Sequence, residues 1–320
     1  MEQRTLRVID CLYTGREKVA AAFLLKEGDR AAIVETNTNH AIPHIMQTMT
    51  EEGVQPEQVE WIIVTHAHLD HAGGASALLK KCPNATLVAH PKAAPHLIDP
   101  SRLLKSAKDI YGEETFQELY GTIKPIPEDR VKVPEDGESL SLGERELRLF
   151  FTRGHANHHF CVHDVSEKVV FAGDNFGIIY PALQHHGLFA FPSTPPTDFD
   201  ALAAIESIDK ILATGANRVF PTHFGEVTEL EAIASQLREQ LQTFHEWIEE
   251  VDASGQPDEA LDALFDKRIR AHFDTKCEAL GIPADNPHRR LLEIDVMLNG
   301  QGLSFAVKKR RYKRKKKQNA

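Results

Sequence analysis

The sequence predicts an α/β fold with two sets of short strands, helices between and after them, and a small all-helical appendage near the C-terminal end. Three observations predict it. The apolar run Trp61-Ile62-Ile63-Val64 passes into a polar loop at 65–74 and then into helix-like Ala75-Ser76-Ala77-Leu78-Leu79-Lys80, a strand, loop and helix in succession. A second set of short apolar runs follows between 131 and 172, and beyond 228 apolar residues recur at helical spacing.

Taken in order, strand-like runs at 6–10 and 20–25 open the chain, and a turn at Glu27-Gly28-Asp29-Arg30 returns it into 31–35, which reads as a hairpin. Glu35 ends that strand, and a polar loop leads to a helix over 41–52. The run 59–65 is apolar throughout, as in a strand buried on both faces. After the polar loop come a helix to about Lys81, a strand at 85–89 and an amphipathic helical stretch over 91–125. There Leu103, Leu104, Ile110, Tyr111, Phe116, Leu119 and Tyr120 read as core. The second strand set occupies 131–133, 139–142, 146–152, 160–165 and 168–172. Residues 175–198 have little regular pattern, and a loop of that length inside a compact domain is usually functional. Helix returns at 198–214 and strand at 218–220. A long helix begins near Thr228, where Thr228 and Glu231 have the spacing of a capping box. Ser254-Gly255-Gln256-Pro257-Asp258 is the best domain boundary, with helices at 259–280 and 286–298 beyond it.

Charge is unevenly distributed. Residues 308–320 carry nine Lys and Arg and no acid, so the formal charge of −10 leaves about −19 on the rest. An acidic body argues against a large nucleic-acid footprint. The cysteines, Cys11, Cys82, Cys161 and Cys277, show no CxxC or framework spacing and read as reduced thiols of a cytoplasmic protein. The N-terminus has no signal-like apolar stretch, and no run approaches the roughly 20 apolar residues of a membrane span.

The chemistry concentrates in the 65–74 loop. His66, His68, Asp70 and His71 fall within six residues, and imidazole with carboxylate suits zinc, iron or manganese. Three later apolar runs each deliver one more such side chain at their carboxyl end. Leu147 to Thr152 leads to His155, Val169 to Gly173 leads to Asp174, and Val219 to Thr222 leads to His223.

These residues resemble the metallo-β-lactamase-fold metallohydrolases, in particular the glyoxalase II-like branch. The pattern of that superfamily is HxHxDH followed by a separate His, a separate Asp and a last His, and all seven positions are matched within a resemblance covering residues 5–250. The resemblance implies an αββα four-layer sandwich. It also implies that His66, His68 and His155 hold one metal, that Asp70, His71 and His223 hold a second, and that Asp174 bridges them. Two departures stand out. Glu35 occupies a place where Asp is common, and Arg153-Gly154-His155-Ala156 replaces the Pro-Gly-His-Thr of thioesterase-type members. His68, where the oxygen-reducing diiron branch has Glu, and Asp174, where true β-lactamases have Cys, speak against both relatives.

The expected function is a dinuclear-metal hydrolase that uses a metal-bridging hydroxide, oriented by Asp70, on a thioester or ester of a small acyl compound. Its cofactors would be two divalent ions, zinc first and iron or manganese as alternatives. Phe176, Tyr180, His185 and His186, with Phe189 and Phe191, are the candidates for lining the substrate pocket, while His158 and His159 read as supporting residues. Competing readings are a phosphodiesterase or nuclease, supported by the basic tail alone, and an iron-dependent persulfide dioxygenase. The expected organisation is a catalytic domain over 1–253, a helical appendage over 258–306 and a basic, disordered tail over 307–320. The partner is a small-molecule substrate, with no membrane span. Weak nucleic-acid or anionic-surface contact through the tail and a homodimer are left open.

Overall fold

The computed structural model describes residues 4–318, and only the backbone at Ile110 and Tyr111. Contacts group the chain into two compact units.

The first unit carries both sheets. In one, β1 (Arg4–Asp10), β2 (Ala21–Glu27) and β3 (Arg30–Val34) run antiparallel, with the expected hairpin turning at Gly28. Helix α1 (Ile42–Glu51) then returns the chain to β4 (Val59–Val64), parallel to β3. Helices α2 (Leu69–Ala72) and α3 (Ala75–Lys81) lead to β5 (Thr86–Ala89), and α4 (Ala94–Ile98), α5 (Ser101–Tyr111) and α6 (Glu113–Tyr120) lead to β6 (Val131–Lys132). β4, β5 and β6 continue the sheet in parallel, and the helices between them supply the crossovers that parallel neighbours need. The second sheet, in order, is β11 (Arg218–Pro221), β10 (Val169–Gly173), β9 (His159–Asp164), β8 (Arg145–Thr152) and β7 (Ser139–Leu142).

The alternation of side chains along each strand decides which core each residue joins. Ile63 on β4 joins the core between the sheets, with Phe23, Val34, Leu147, Leu149, Phe171 and Phe220. Its neighbour Ile62 faces the other way, into a core shared with Ile42, Ile45 and Met49 of α1 and Leu78 and Leu79 of α3. That double burial explains why β4 reads as a continuous apolar run. Phe23 meets Phe171 and Phe220 with ring centroids 5.1 and 5.6 Å apart, each ring burying roughly 1.5–3 kcal/mol of apolar surface. Phe116 and Tyr120 are buried in a satellite cluster with Leu69, and Leu103, Leu104 and Leu119 pack on it. The side chains of Ile110 and Tyr111 lie outside the described residues.

The second unit includes the 152–157 loop, the 174–212 segment with nearly all of α7 (Ala201–Ala213), and three long helices, α8 (Leu230–Ser254), α9 (Leu261–Ala279) and α10 (Leu292–Gln318). The apolar stripe read along α8 is buried at Ile233, Leu237, Leu241, Phe244, Ile248 and Val251. The two-sheet, helix-flanked architecture with its helical extension is the expected fold class.

Three details differ from the sequence reading. The capping box does not form, because α8 starts at Leu230 and the N-cap is Glu229, whose side chain makes no cap bond. α8 groups with α9 and α10, so the helical unit reaches back across the 254–258 junction. The basic stretch, expected to be disordered, is helix through Gln318, and residues 319–320 lie outside the described range. Several of its cations have partners on neighbouring helices or at the 254–258 junction. Arg310 pairs with Glu249, Arg311 with Asp252 and Asp258, Arg314 with Asp252, and Lys308 with Asp262. A sequence shows the like charges in a row, not the acids that α8 and α9 bring to meet them. No described helix is long and apolar enough to cross a membrane, and all four cysteines are buried and outside any disulfide.

One buried ion pair ties the sheets. Arg145, 1 % exposed, places Nε 2.9 Å and Nη2 2.8 Å from Asp164 Oδ2, while its Nη1 donates to the carbonyls of Thr5 and Lys26. Replacing Asp164 with Ala leaves a buried guanidinium without its counter-charge. Chemical denaturation of Asp164→Ala should show a loss of about 3–5 kcal/mol, far beyond that of an exposed pair. Two histidines set an acid limit. Burial lowers His90 to about 4, with His158 and Lys92 adding to it, and burial with Lys276 nearby lowers His272 to about 4. Both values lie below the ordinary 6.5, so between about 4 and 6.5 the folded chain binds fewer protons than the unfolded chain. The stability these sites contribute is complete above 6.5 and is lost as pH falls through that window. Denaturation midpoints should therefore drop between pH 7 and 4.5, and His272→Phe should flatten the drop.

Candidate metal centre

Each chemistry-bearing segment begins where a strand of the sheet unit ends. β4 runs into the 65–74 loop, β8 toward His155, β10 into Asp174 and β11 toward His223. Backbone bonds fix these ends, since Phe160 N–H donates to Thr65 O at 3.0 Å, Thr222 N–H to Gly173 O at 3.1 Å and Ala21 N–H to Thr222 O at 2.9 Å. Gly173 is required here. Its φ is +52°, and a Cβ would lie 2.3 Å from His159 Nε2 and 2.6 Å from Thr65 Oγ1. The 35–38 segment grips the ligand loop, with the Thr36 amide and hydroxyl donating to His71 O at 2.9 and 2.8 Å and Asn37 Nδ2 donating to Asp70 O at 2.8 Å.

Hydrogen bonds aim the imidazoles. His155 Nδ1 lies 3.2 Å from Ser193 O and His223 Nδ1 lies 2.8 Å from Val19 O. A carbonyl only accepts, so each Nδ1 carries a proton and leaves Nε2 as the ligating nitrogen. His71 Nδ1 meets Glu35 Oε1 at 3.2 Å. Thr65 donates its hydroxyl to Glu35 Oε1, so its oxygen accepts from His66 Nδ1 at 3.1 Å. His66, His71, His155 and His223 thus all present Nε2. His68 turns the other way, its Nδ1 2.9 Å from His66 Nε2.

Three groups of ligand atoms result, each with its atoms within 4.8 Å of one another: His66, His68 and His155; His66, His71 and Asp174; and Asp70, His71 and His223. All seven residues singled out in the sequence enter at least one group. The contacts inside them fit cations. His155 Nε2 lies 3.4 Å from Asp174 Oδ2, His223 Nε2 lies 3.4 Å from Asp70 Oδ2, and His71 Nε2 lies 3.7 Å from the same oxygen. Nitrogen lone pairs facing carboxylate oxygens repel unless positive charge lies among them. A shared metal supplies that charge with less crowding than a cluster of imidazolium rings. Glu35, fully buried, bonds to Thr65, His71 and Thr222 and so supports the ligand loop from behind.

His158 Nδ1 accepts from the Ala67 amide at 3.3 Å and His159 is buried beside Gly173, so both support the ligand segments. The proposed substrate-lining residues are placed differently. Phe176 and Tyr180 are buried, and Tyr180, Phe189 and Phe191 join Phe273 of α9 in an aromatic cluster. His185 and His186 lie exposed on a short 3-10 turn. A cavity at His155 and Asp174 is lined by Asn175, Gly177, Pro192 and Ser193, with Ala204, Ile208, Leu237 and Leu241 as an apolar wall, and none of the six candidates is among its lining. Aromatic residues in an irregular segment have the same composition whether they face a ligand or a helix, and here they found helix partners.

Sequence reasoning passed over Asn175 and Ser193. Asn175 Oδ1 accepts from the His155 amide at 3.3 Å and its Nδ2 donates to Thr152 Oγ1 at 3.1 Å. Its position next to Asp174 was the available signal. Ser193 acts through its carbonyl, which any residue possesses, so nothing in its identity marks it.

Comparison with known proteins agrees with this geometry. Residues 15–223 match the model of the Metallo-beta-lactamase superfamily. The chain is similar to the metallo-β-lactamase fold-containing protein ST1585 of Sulfurisphaera tokodaii, 26% identical over 223 residues, which are 69% of this chain and 80% of that one. The crystal structure of ST1585, from Sulfolobus tokodaii, superimposes with a TM-score of 0.62 at 23% identity over 74% of this chain and 86% of that one, a likeness of fold. A hydroxyacylglutathione hydrolase of Enterobacter sp. (strain 638) is 29% identical over 151 residues, 47% of this chain and 44% of that protein. An acyl-coenzyme A thioesterase, MBLAC2 of Gallus gallus, is 27% identical over 176 residues, 51% of this chain and 55% of that protein. The chain spans about half the length of each of these last two. With strand ends, ligand groups and a family match over most of its length in agreement, the chain belongs to the metallo-β-lactamase superfamily.

Proposed function

We propose that the protein is a dinuclear-metal hydrolase of thioesters or esters of small acyl compounds. The observation that carries this reading is the convergence of five imidazoles and two carboxylates in three overlapping ligand groups. His66, His68 and His155 would hold one cation and Asp70, His71 and His223 the other, with Asp174 shared. Zinc suits this mixture of nitrogen and oxygen donors, with iron and manganese next. Bound at such a site, divalent cations ionise water near neutral pH and polarise a carbonyl oxygen.

The chain's own residues do the rest. Asp70, whose side chain is 26% exposed, orients the attacking water and holds its proton. Ala204, Ile208, Leu237 and Leu241 give the acyl part an apolar wall beside His155 and Asp174. The names of two relatives, a hydroxyacylglutathione hydrolase and an acyl-coenzyme A thioesterase, support an acyl group carried on a thiol. Four buried cysteines, none in a disulfide, suit a reducing, cytoplasmic setting. The pairing of Arg310, Arg311 and Arg314 with acids of α8 and the 254–258 junction weighs against a nuclease that would need those cations.

Elemental analysis of protein purified without chelator should find about two metal ions per chain. Asp174→Ala should lower both occupancy and turnover by about two orders of magnitude or more, and full occupancy with undiminished turnover would remove Asp174 from the bridging place. Across a panel of acyl-thiol substrates and a chromogenic phosphodiester, cleavage should favour the thioesters. Preference for the phosphodiester, or oxygen consumption with a single iron bound, would overturn the assignment.

A further inference from the structure

We propose that Asn299, midway along α10, is a positioning residue for the ligating imidazole of His155. The C-terminal helix would then be part of the metal centre, and this inference rests on the proposed role of His155. The His155 proton on Nδ1 goes to the carbonyl of Ser193, so the ring is only as well placed as that carbonyl. Ser193 lies in an irregular segment outside the strands and helices, and something else must hold it.

Asn299 holds both of its neighbours. Its Nδ2 donates to Pro192 O at 3.1 Å, and its Oδ1 accepts from the Thr194 amide at 2.7 Å and from Thr194 Oγ1 at 2.9 Å. The Thr194 hydroxyl also reaches Asn299 O at 3.3 Å. Asn299 is 2% exposed and Thr194 fully buried, so water does not compete for these bonds. A side-chain amide has two donors and two acceptor positions, and three of the four are spent on the residues either side of Ser193. The helix approaches as only glycine permits, because a Cβ on Gly302 would sit 1.6 Å from Thr194 O.

A purely structural asparagine would stabilise the loop and leave metal binding alone, so the test reads metal. Cobalt(II) titration, followed by visible absorption and by bound-metal stoichiometry, is run on the full-length wild type, His155→Ala, Asn299→Leu and Val307→Ala, with circular dichroism and melting recorded for each. Val307 is a buried α10 residue and serves as a control for helix destabilisation. The expected result is two sites in the wild type, one weakened or lost in His155→Ala, and the same site weakened about 10- to 100-fold in Asn299→Leu but unchanged in Val307→Ala.

Should Asn299→Leu fail to fold, Thr194→Val and Thr194→Ser decide the matter, with weakening in the first and wild-type affinity in the second. Wild-type titration by folded Asn299→Leu, equal weakening by Val307→Ala, or equal titration of the two Thr194 variants would overturn the proposal while leaving the metal centre intact. A wild type that binds no metal, or whose binding ignores His155→Ala, overturns the metal-centre reading itself.

Discussion

The sheet unit's part of the site depends on one buried acid. Glu35 is fully buried at the end of β3 with φ +66°, a backbone state that costs a non-glycine residue roughly 1–2 kcal/mol. A carboxylate out of water is tolerated only with donors around it, and three side chains from two segments provide them. Thr65 opens the ligand loop, His71 closes the HxHxDH run and Thr222 precedes His223. The need to satisfy one buried oxygen therefore sets the spacing between two ligand-bearing segments distant in sequence. The extra methylene of Glu relative to Asp does not prevent this, because the contacts run to hydroxyls and an imidazole that adjust by rotation.

Second-layer bonds of this kind account for how the ligands are aimed. His66, His71, His155 and His223 each spend Nδ1 on a different acceptor, two of them backbone carbonyls and two tied to the Glu35 network. The acceptors come from Val19, Glu35, Thr65 and Ser193, elements with no shared motif. Ring orientation is thus settled by the fold, and ligand identity by the local sequence.

That division explains what could be read in advance. The strand runs and the seven His and Asp side chains that the three groups draw together were legible because apolar runs ending in His or Asp leave a pattern that survives without coordinates. Thr228 and Glu231 had capping-box spacing, but the helix begins at Leu230, a boundary that packing rather than local propensity decides. Phe176 and Tyr180 looked like pocket lining because aromatic character is the same in a pocket and in a core. The cationic run beyond 308 looked solvated because Glu249, Asp252, Asp258 and Asp262 lie some fifty residues earlier. Ser193 was invisible because its contribution is a peptide oxygen.

The order in which ligands occur along the chain bears on biosynthesis. When the first four donors leave the ribosome, the strands delivering His155, Asp174 and His223 are still unmade. The early tetrad alone lacks the Asp174 and His155 partners that complete two of the three groups. Until β11 has been made and His223 follows it, a nascent chain can therefore present only a fragment of the donor set.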